Sequence, residues 1–212
     1  MIKVDLKKTR GDYWKAPKGA FVVIDVPRLN FLMVDGQGDP NSSSVYQAAV
    51  GALYAVSYKL KFMSKARDRD YVVPPLQGLW WADDMADFIA RRKDRWRWTM
   101  MLMLPDWITA AAVAEAVETF RAKEGDIPDT LRFAAFEEGR SVQTLHVGSY
   151  DDEAPTIRRL HAAFLPEQGL IENGMHHEIY LGDPRRTAPD RLRTILRQPV
   201  RDRRADEKSN WL

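Results

Sequence analysis

The chain predicts an α+β fold built from two pseudo-symmetric strand-helix-strand-strand modules with a ligand cleft between them. Three observations predict it: a long helical stripe behind a strong strand, the return of the same element order later in the chain, and a composition able to fill a core. A chain of 212 residues typically buries roughly 70% of its unfolded surface. Its 45% apolar and 29% charged content is that of a soluble globular protein, and no run approaches the roughly 18 apolar residues of a membrane helix.

The first strong strand is residues 29–34, Leu-Asn-Phe-Leu-Met-Val, halted by the turn formers Asp35-Gly36-Gln37-Gly38-Asp39-Pro40-Asn41. Serines 42 to 44 are placed to cap a helix over residues 44–65, whose apolar stripe is Val45, Ala49, Leu53, Val56, Leu60 and Met63. Gly78-Leu79-Trp80-Trp81, a possible short helix near residues 85–92, and a strand at 96–104 follow. A second helix, about 109–123, ends at Gly125, and a strand at 131–136 turns through Glu137-Glu138-Gly139-Arg140 into a strand at 142–147. The order then recurs: turn 148–152, helix 152–166, strand 175–181, strand 194–200. The expected organisation is an N-terminal extension (1–28), one domain of two modules (29–104 and 142–200, joined by 105–141), and a charged tail (201–212). Interfaces between such modules are common ligand sites.

Composition excludes several chemistries. Zero cysteines remove disulfides, a Cys nucleophile and thiolate metal sites. The start has cations but no apolar signal segment, so a cytoplasmic protein is expected. Residues 184–212 carry a net charge of +5 within a chain of +2. Over Arg201–Lys208 the signs alternate and no aromatics interleave, which reads as a solvated end, with no nucleic-acid or membrane partner. There is no His-Glu-x-x-His spacing, nucleophile elbow, phosphate loop or dinucleotide fingerprint, so neither metal nor cofactor is expected.

The informative stretch is His176-His177-Glu178-Ile179-Tyr180-Leu181. Strand alternation puts His176, Glu178 and Tyr180 on one face and Ile179 and Leu181 on the other, so one carboxylate shares its face with a His and a Tyr. Glu178 is then a solvated residue paired with a downstream arginine, a counter-ion for a cationic guest, or a general base. On the first long helix Tyr46, Val50, Tyr54 and Lys61 form a flank beside the core stripe, with Tyr58 one step further round. With Trp80, Trp81, Trp96 and Trp98 these tyrosines suit an aromatic box for flat or cationic guests, at about 0.5–2 kcal/mol per cation–π contact. Met100, Met101 and Met103 read as core filler, although a flexible Met surface also suits a promiscuous pocket.

Several stretches together resemble the GyrI-like small-molecule-binding family, and in particular its free-standing branch of cyclopropane hydrolases. They are Phe31-Leu32-Met33-Val34-Asp35-Gly36-Gln37-Gly38-Asp39-Pro40-Asn41, Tyr54-Ala55-Val56-Ser57-Tyr58-Lys59-Leu60-Lys61, Pro75-Leu76-Gln77-Gly78-Leu79-Trp80-Trp81, Gly148-Ser149-Tyr150-Asp151-Asp152-Glu153, and His176 through Arg186 with its sequel Leu196-Arg197-Gln198-Pro199-Val200. The resemblance implies two modules around a cleft, with the acidic residue at Glu178 facing an aromatic or cationic small molecule. It implies catalysis by Glu178 with Tyr58 and Tyr180, and ligand contacts from Tyr54, Trp80, Trp81, Trp98, Met101, Tyr150 and His176. One departure is Gln77, where an acidic residue is expected.

The implied activity is hydrolysis by water addition, opening cyclopropane-bearing electrophilic toxins, with the protein a monomer or homodimer. Glu178 would deprotonate the attacking water while a tyrosine hydroxyl meets the developing oxyanion. Two other classes fit the same letters: a drug-binding module without turnover, and a protein-binding topoisomerase inhibitor.

Overall fold

The computed structural model describes residues 3–84 and 92–204. Residues 85–91, where a short helix is expected, and the tail beyond Arg204 lie outside the described residues. In chain order the described elements are β1 (Lys3–Val4), α1 (Leu6–Thr9), β2 (Val22–Val26), β3 (Leu29–Gln37), α2 (Ser44–Ala66), β4 (Asp70–Tyr71), β5 (Gln77–Trp81), β6 (Arg97–Leu104), α3 (Ala110–Glu124), β7 (Arg132–Phe136), β8 (Gly139–Val147), α4 (Ala154–Arg159), β9 (Leu170–Glu172), β10 (His176–Tyr180) and β11 (Arg193–Asp202). A π turn over Leu160–Phe164 and a last turn at Leu165–Glu167 prolong α4. The chain divides into two compact units, one made of Met1–Gly11 with Arg28–Glu137, the other of Asp12–Pro27 with Glu138–Leu212. The expected order strand-helix-strand-strand is present in each, as β3-α2-β5-β6 and as β8-α4-β10-β11. No helix among the described residues is long and apolar enough to cross a membrane.

In the first unit the antiparallel sheet runs β5-β6-β3-β7. Helix α2 starts where Ser43 Oγ accepts from the Tyr46 amide at 3.3 Å, satisfying one of the orphan donors of the first turn. Its inward stripe is Ala49, Leu53, Val56 and Leu60, all buried. Val45, expected on that stripe, is exposed. Tyr46 takes the inward place one position on, its ring 5.2 Å from Trp98 and 6.3 Å from Trp80. Further along α2, Lys61 pairs with Asp70 of β4.

The expected turn at 35–41 begins too early, because β3 continues through Asp35, Gly36 and Gln37, paired with Thr99, Trp98 and Arg97. The reason lies in the side chains opposite. Asp35 accepts from Thr99 Oγ1 at 2.7 Å and from Arg132 at 2.6 Å, which makes it a strand residue with cross-strand partners. Gly36 leaves room for the Trp98 indole: a Cβ there would stand 2.1 Å from Trp98 Cη2.

The second unit has the antiparallel order β2-β8-β11-β10, with β9 on the far end of β11. Strands β7 and β8 do not pair with each other. β7 lies on β3, while β8 lies between β2 and β11, so the turn joining them crosses from one unit to the next in sequence. One sheet face carries Val142 and Val200 against Leu160, Leu165 and Leu170, with Phe21 and Phe164 packed alongside. Residues 22–26, part of the expected N-terminal extension, supply the edge strand β2.

The Gly36–Trp98 contact is testable. Gly36→Ala should cost about 1–3 kcal/mol, the usual scale of overpacking, in denaturant unfolding followed by tryptophan fluorescence. Unchanged stability would mean that the indole is not seated on Gly36.

Candidate functional site

Strand β10 pairs with β11 as His177 with Arg197, Glu178 with Leu196 and Tyr180 with Thr194. Side chains alternate along it as expected. On one face the Tyr180 hydroxyl donates to Glu178 Oε2 at 2.8 Å. His176 Nε2 stands 3.6 Å from Glu178 Oε1, and the carboxylate is only 14% exposed. The solvated, arginine-paired reading of Glu178 is thereby set aside: its nearest described partners are an aromatic hydroxyl and an imidazole. Tyr150 joins them, its ring 5.6 Å from that of Tyr180 and nearly perpendicular. Burial first, and then the charges of Glu153, Glu178 and Asp183, push the Tyr150 hydroxyl up to about 12, so it keeps its proton. Four residues expected at the site, Tyr150, His176, Glu178 and Tyr180, thus gather in one place in the second unit.

The opposite face of β10 holds a group that the sequence reading missed. His177 Nδ1 lies 2.8 Å from Glu138 Oε1, and Arg197 Nη1 donates to Glu138 Oε2 at 2.9 Å. Arg197 also donates to Gln143 Oε1 at 3.0 and 3.1 Å and to the Tyr13 carbonyl at 2.7 Å. Gln143 in turn donates to the carbonyls of Asp12 and Lys15 at 3.1 and 2.9 Å. All four side chains are buried. Burial works against the Glu138 charge, but His177 and Arg197 outweigh it and hold the carboxyl down to about 2. His177 is lowered, chiefly by its burial, so its neutral imidazole presents Nδ1–H to the carboxylate. Glu138 sits in what reads as a turn, which hid it. The available signal was a row of polar letters, His177, Arg197 and Gln143, in register at inward positions of three strands.

The aromatic residues expected at the site from the first unit fall into two places. Trp80 is buried, stacked on Tyr46 and 5.8 Å from the Trp96 ring. Trp98 and Met101 are fully buried in β6. Trp81 ends β5 and is partly exposed. Tyr54 and Tyr58 stack at 6.5 Å on α2, and Tyr58 is 47% exposed. Gln77, the departure from the expected acidic residue, is buried at the start of β5 opposite Met101. Among the described residues no three His, Asp or Glu side chains gather as a metal-binding group.

With this geometry in place, comparison with known proteins identifies the class. The model of the GyrI-like small-molecule-binding domain matches residues 20–201, and the chain belongs to that family. A solved Listeria innocua structure described as an uncharacterized conserved protein is 40% identical over 94% of this chain and 100% of its own, with a TM-score of 0.84. Another from the same organism, described as a hydrolase, shows the same identity and coverage with a TM-score of 0.81. The C-terminal domain of EcmrR shares the fold alone, at 12% identity over 86% of this chain and 98% of its own, with a TM-score of 0.55. Comparison with curated proteins finds no match.

The buried pair sets a pH dependence. Glu138 titrates near 2 folded against an ordinary 4.5, so its contribution is complete above about 4.5 and is lost as pH falls toward 2. The folded state also resists protonation of His177, so stability declines as pH drops through the ordinary imidazole value of 6.5. Both slopes have the same sign. Urea unfolding across this range should show stability falling steadily on acidification. Glu138→Gln should lose about 3–5 kcal/mol at neutral pH by stranding Arg197 and should flatten the acidic limb. An unaltered acidic limb in that variant would assign the slope to other groups.

Proposed function

We propose that the chain binds flat, hydrophobic aromatic small molecules against the Glu178 face and adds water to cyclopropane-bearing electrophiles among them. The observation that carries this reading is the Glu178 carboxylate, largely withdrawn from water and held at one oxygen by Tyr180. Such a group has little to do as a surface charge, and its second oxygen is turned toward His176 rather than toward an arginine. The 40% identity to a Listeria innocua protein described as a hydrolase supports turnover over storage.

In the proposed step Glu178 takes a proton from water as its oxygen bonds to the least hindered carbon of the strained ring. The ring C–C bond breaks and its electron pair passes into a conjugated carbonyl. The Tyr180 hydroxyl, released once Glu178 is neutralised by the water proton, stabilises the resulting oxyanion. The proton on Glu178 then returns to the product, so the net change is one added water and a lost alkylating ring. That outcome is detoxification. Tyr150 and His176 border the carboxylate. The step uses no group supplied by Gln77.

Glu178→Gln keeps shape and hydrogen-bonding reach but loses basicity. Tryptophan quenching by a neutral aromatic guest should be preserved in this variant, while turnover falls by roughly 100-fold or more, the scale of general-base loss. Loss of affinity for cationic guests alone would make the protein a binding module with Glu178 as counter-ion. Unchanged binding and turnover would remove Glu178 from the site.

A further inference from the structure

We infer that the second unit carries a separate binding site for small organic anions, in the cavity between the Pro17–Gly19 segment, β8 and the start of α4. The cavity measures about 340 Å³, within the range of small-ligand pockets. Its lining joins Lys18 and Arg159 to Thr144, His146 and Thr156. The fold places the Lys18 backbone and the Arg159 guanidinium. The Leu145 amide donates to the Pro17 carbonyl at 2.9 Å, Thr144 Oγ1 donates to the same carbonyl at 3.3 Å, and Lys18 bridges to Leu145, which fixes this segment along β8. Arg159 donates to the Gly19 carbonyl at 2.9 Å, and its guanidinium lies 4.7 Å from the Phe21 ring centroid.

A guanidinium stacked on a ring and tethered to a neutral carbonyl keeps its charge and most of its donors for another partner. Neither Lys18 nor Arg159 has a carboxylate partner among the described residues. Two cations beside the Thr156 hydroxyl form a cradle for a carboxylate or phosphate head, and Leu145 and Pro155 supply an apolar wall. His146 Nε2 is held by the Ser149 carbonyl at 3.0 Å, so the ring is oriented. The expected ligand is a small molecule with one anionic head on a short apolar body. The Glu178 reading concerns neutral or cationic guests, whose chemistry is the opposite.

Amide NMR titration of the whole chain with benzoate, phenyl phosphate and benzyl alcohol tests this. One or both anions should shift the amides of Gly19, residues 144–147 and Thr156 at millimolar concentration, and the head that binds more tightly names the source class. Benzyl alcohol should not. Lys18→Glu, a substitution of an exposed residue, should weaken the anion at least tenfold, and added salt should weaken it further. Arg159→Gln should do the same with its own side chain removed. Lys18→Glu should leave quenching by neutral aromatic guests as in the unaltered chain, which separates this site from Glu178. Shifts elsewhere, equal binding of benzyl alcohol, or anion affinity untouched by either variant would overturn the inference.

Discussion

The buried group of Glu138, His177, Arg197 and Gln143 is the constraint on which the second unit depends. One carboxylate and one guanidinium are taken out of water, which costs several kcal/mol per ion unless geometry and hydrogen bonds offset it. Here they do: Arg197 is satisfied by Glu138, Gln143 and the Tyr13 carbonyl, and Glu138 by Arg197 and His177. An apolar core of the same volume would serve stability as well. What it would not supply is registration, because this group spans β8, β11 and β10 in one row and fastens the 12–15 segment by carbonyl contacts. A slip of one residue in any of the three strands would turn one of these polar side chains to the opposite face.

Strand β10 therefore divides its labour by parity. His177 and Ile179 point to the buried side, where charge and apolar packing hold the strand. His176, Glu178 and Tyr180 point the other way with their mutual geometry already set. A carboxylate between residues locked in register loses little freedom on meeting a guest, and such preorganisation is what a general base or counter-ion requires.

Much of this was legible in the letters. The 3.6-residue stripe of α2, its serine cap, the repeated element order and the alternation that placed Glu178 with Tyr180 all rest on local periodicity, and the structure has each of them. The turn expected at 35–41 is shorter than its letters suggest, and Glu138, in a turn that the structure keeps, has an inward role that its letters hide; the two share a reason. Asp35-Gly36-Gln37 and Glu137-Glu138 consist of turn-forming or charged letters. Their roles are set by residues far along the chain: Trp98 and Arg132 for the first, His177 and Arg197 for Glu138. Pairing across such separations leaves no local trace. Val45 failed differently, since the stripe permits either Val45 or Tyr46 to start the inward face and the larger ring buries more apolar area.

The most direct test of the central claim, that the Glu178 face performs hydration, is mass spectrometry of aromatic cyclopropane electrophiles incubated with the pure protein in oxygen-labelled water. The account predicts a product heavier by one labelled water, formed by the unaltered chain and nearly absent with Glu178→Gln. Guests bound by the protein but recovered intact would contradict catalysis and leave a binding module in its place.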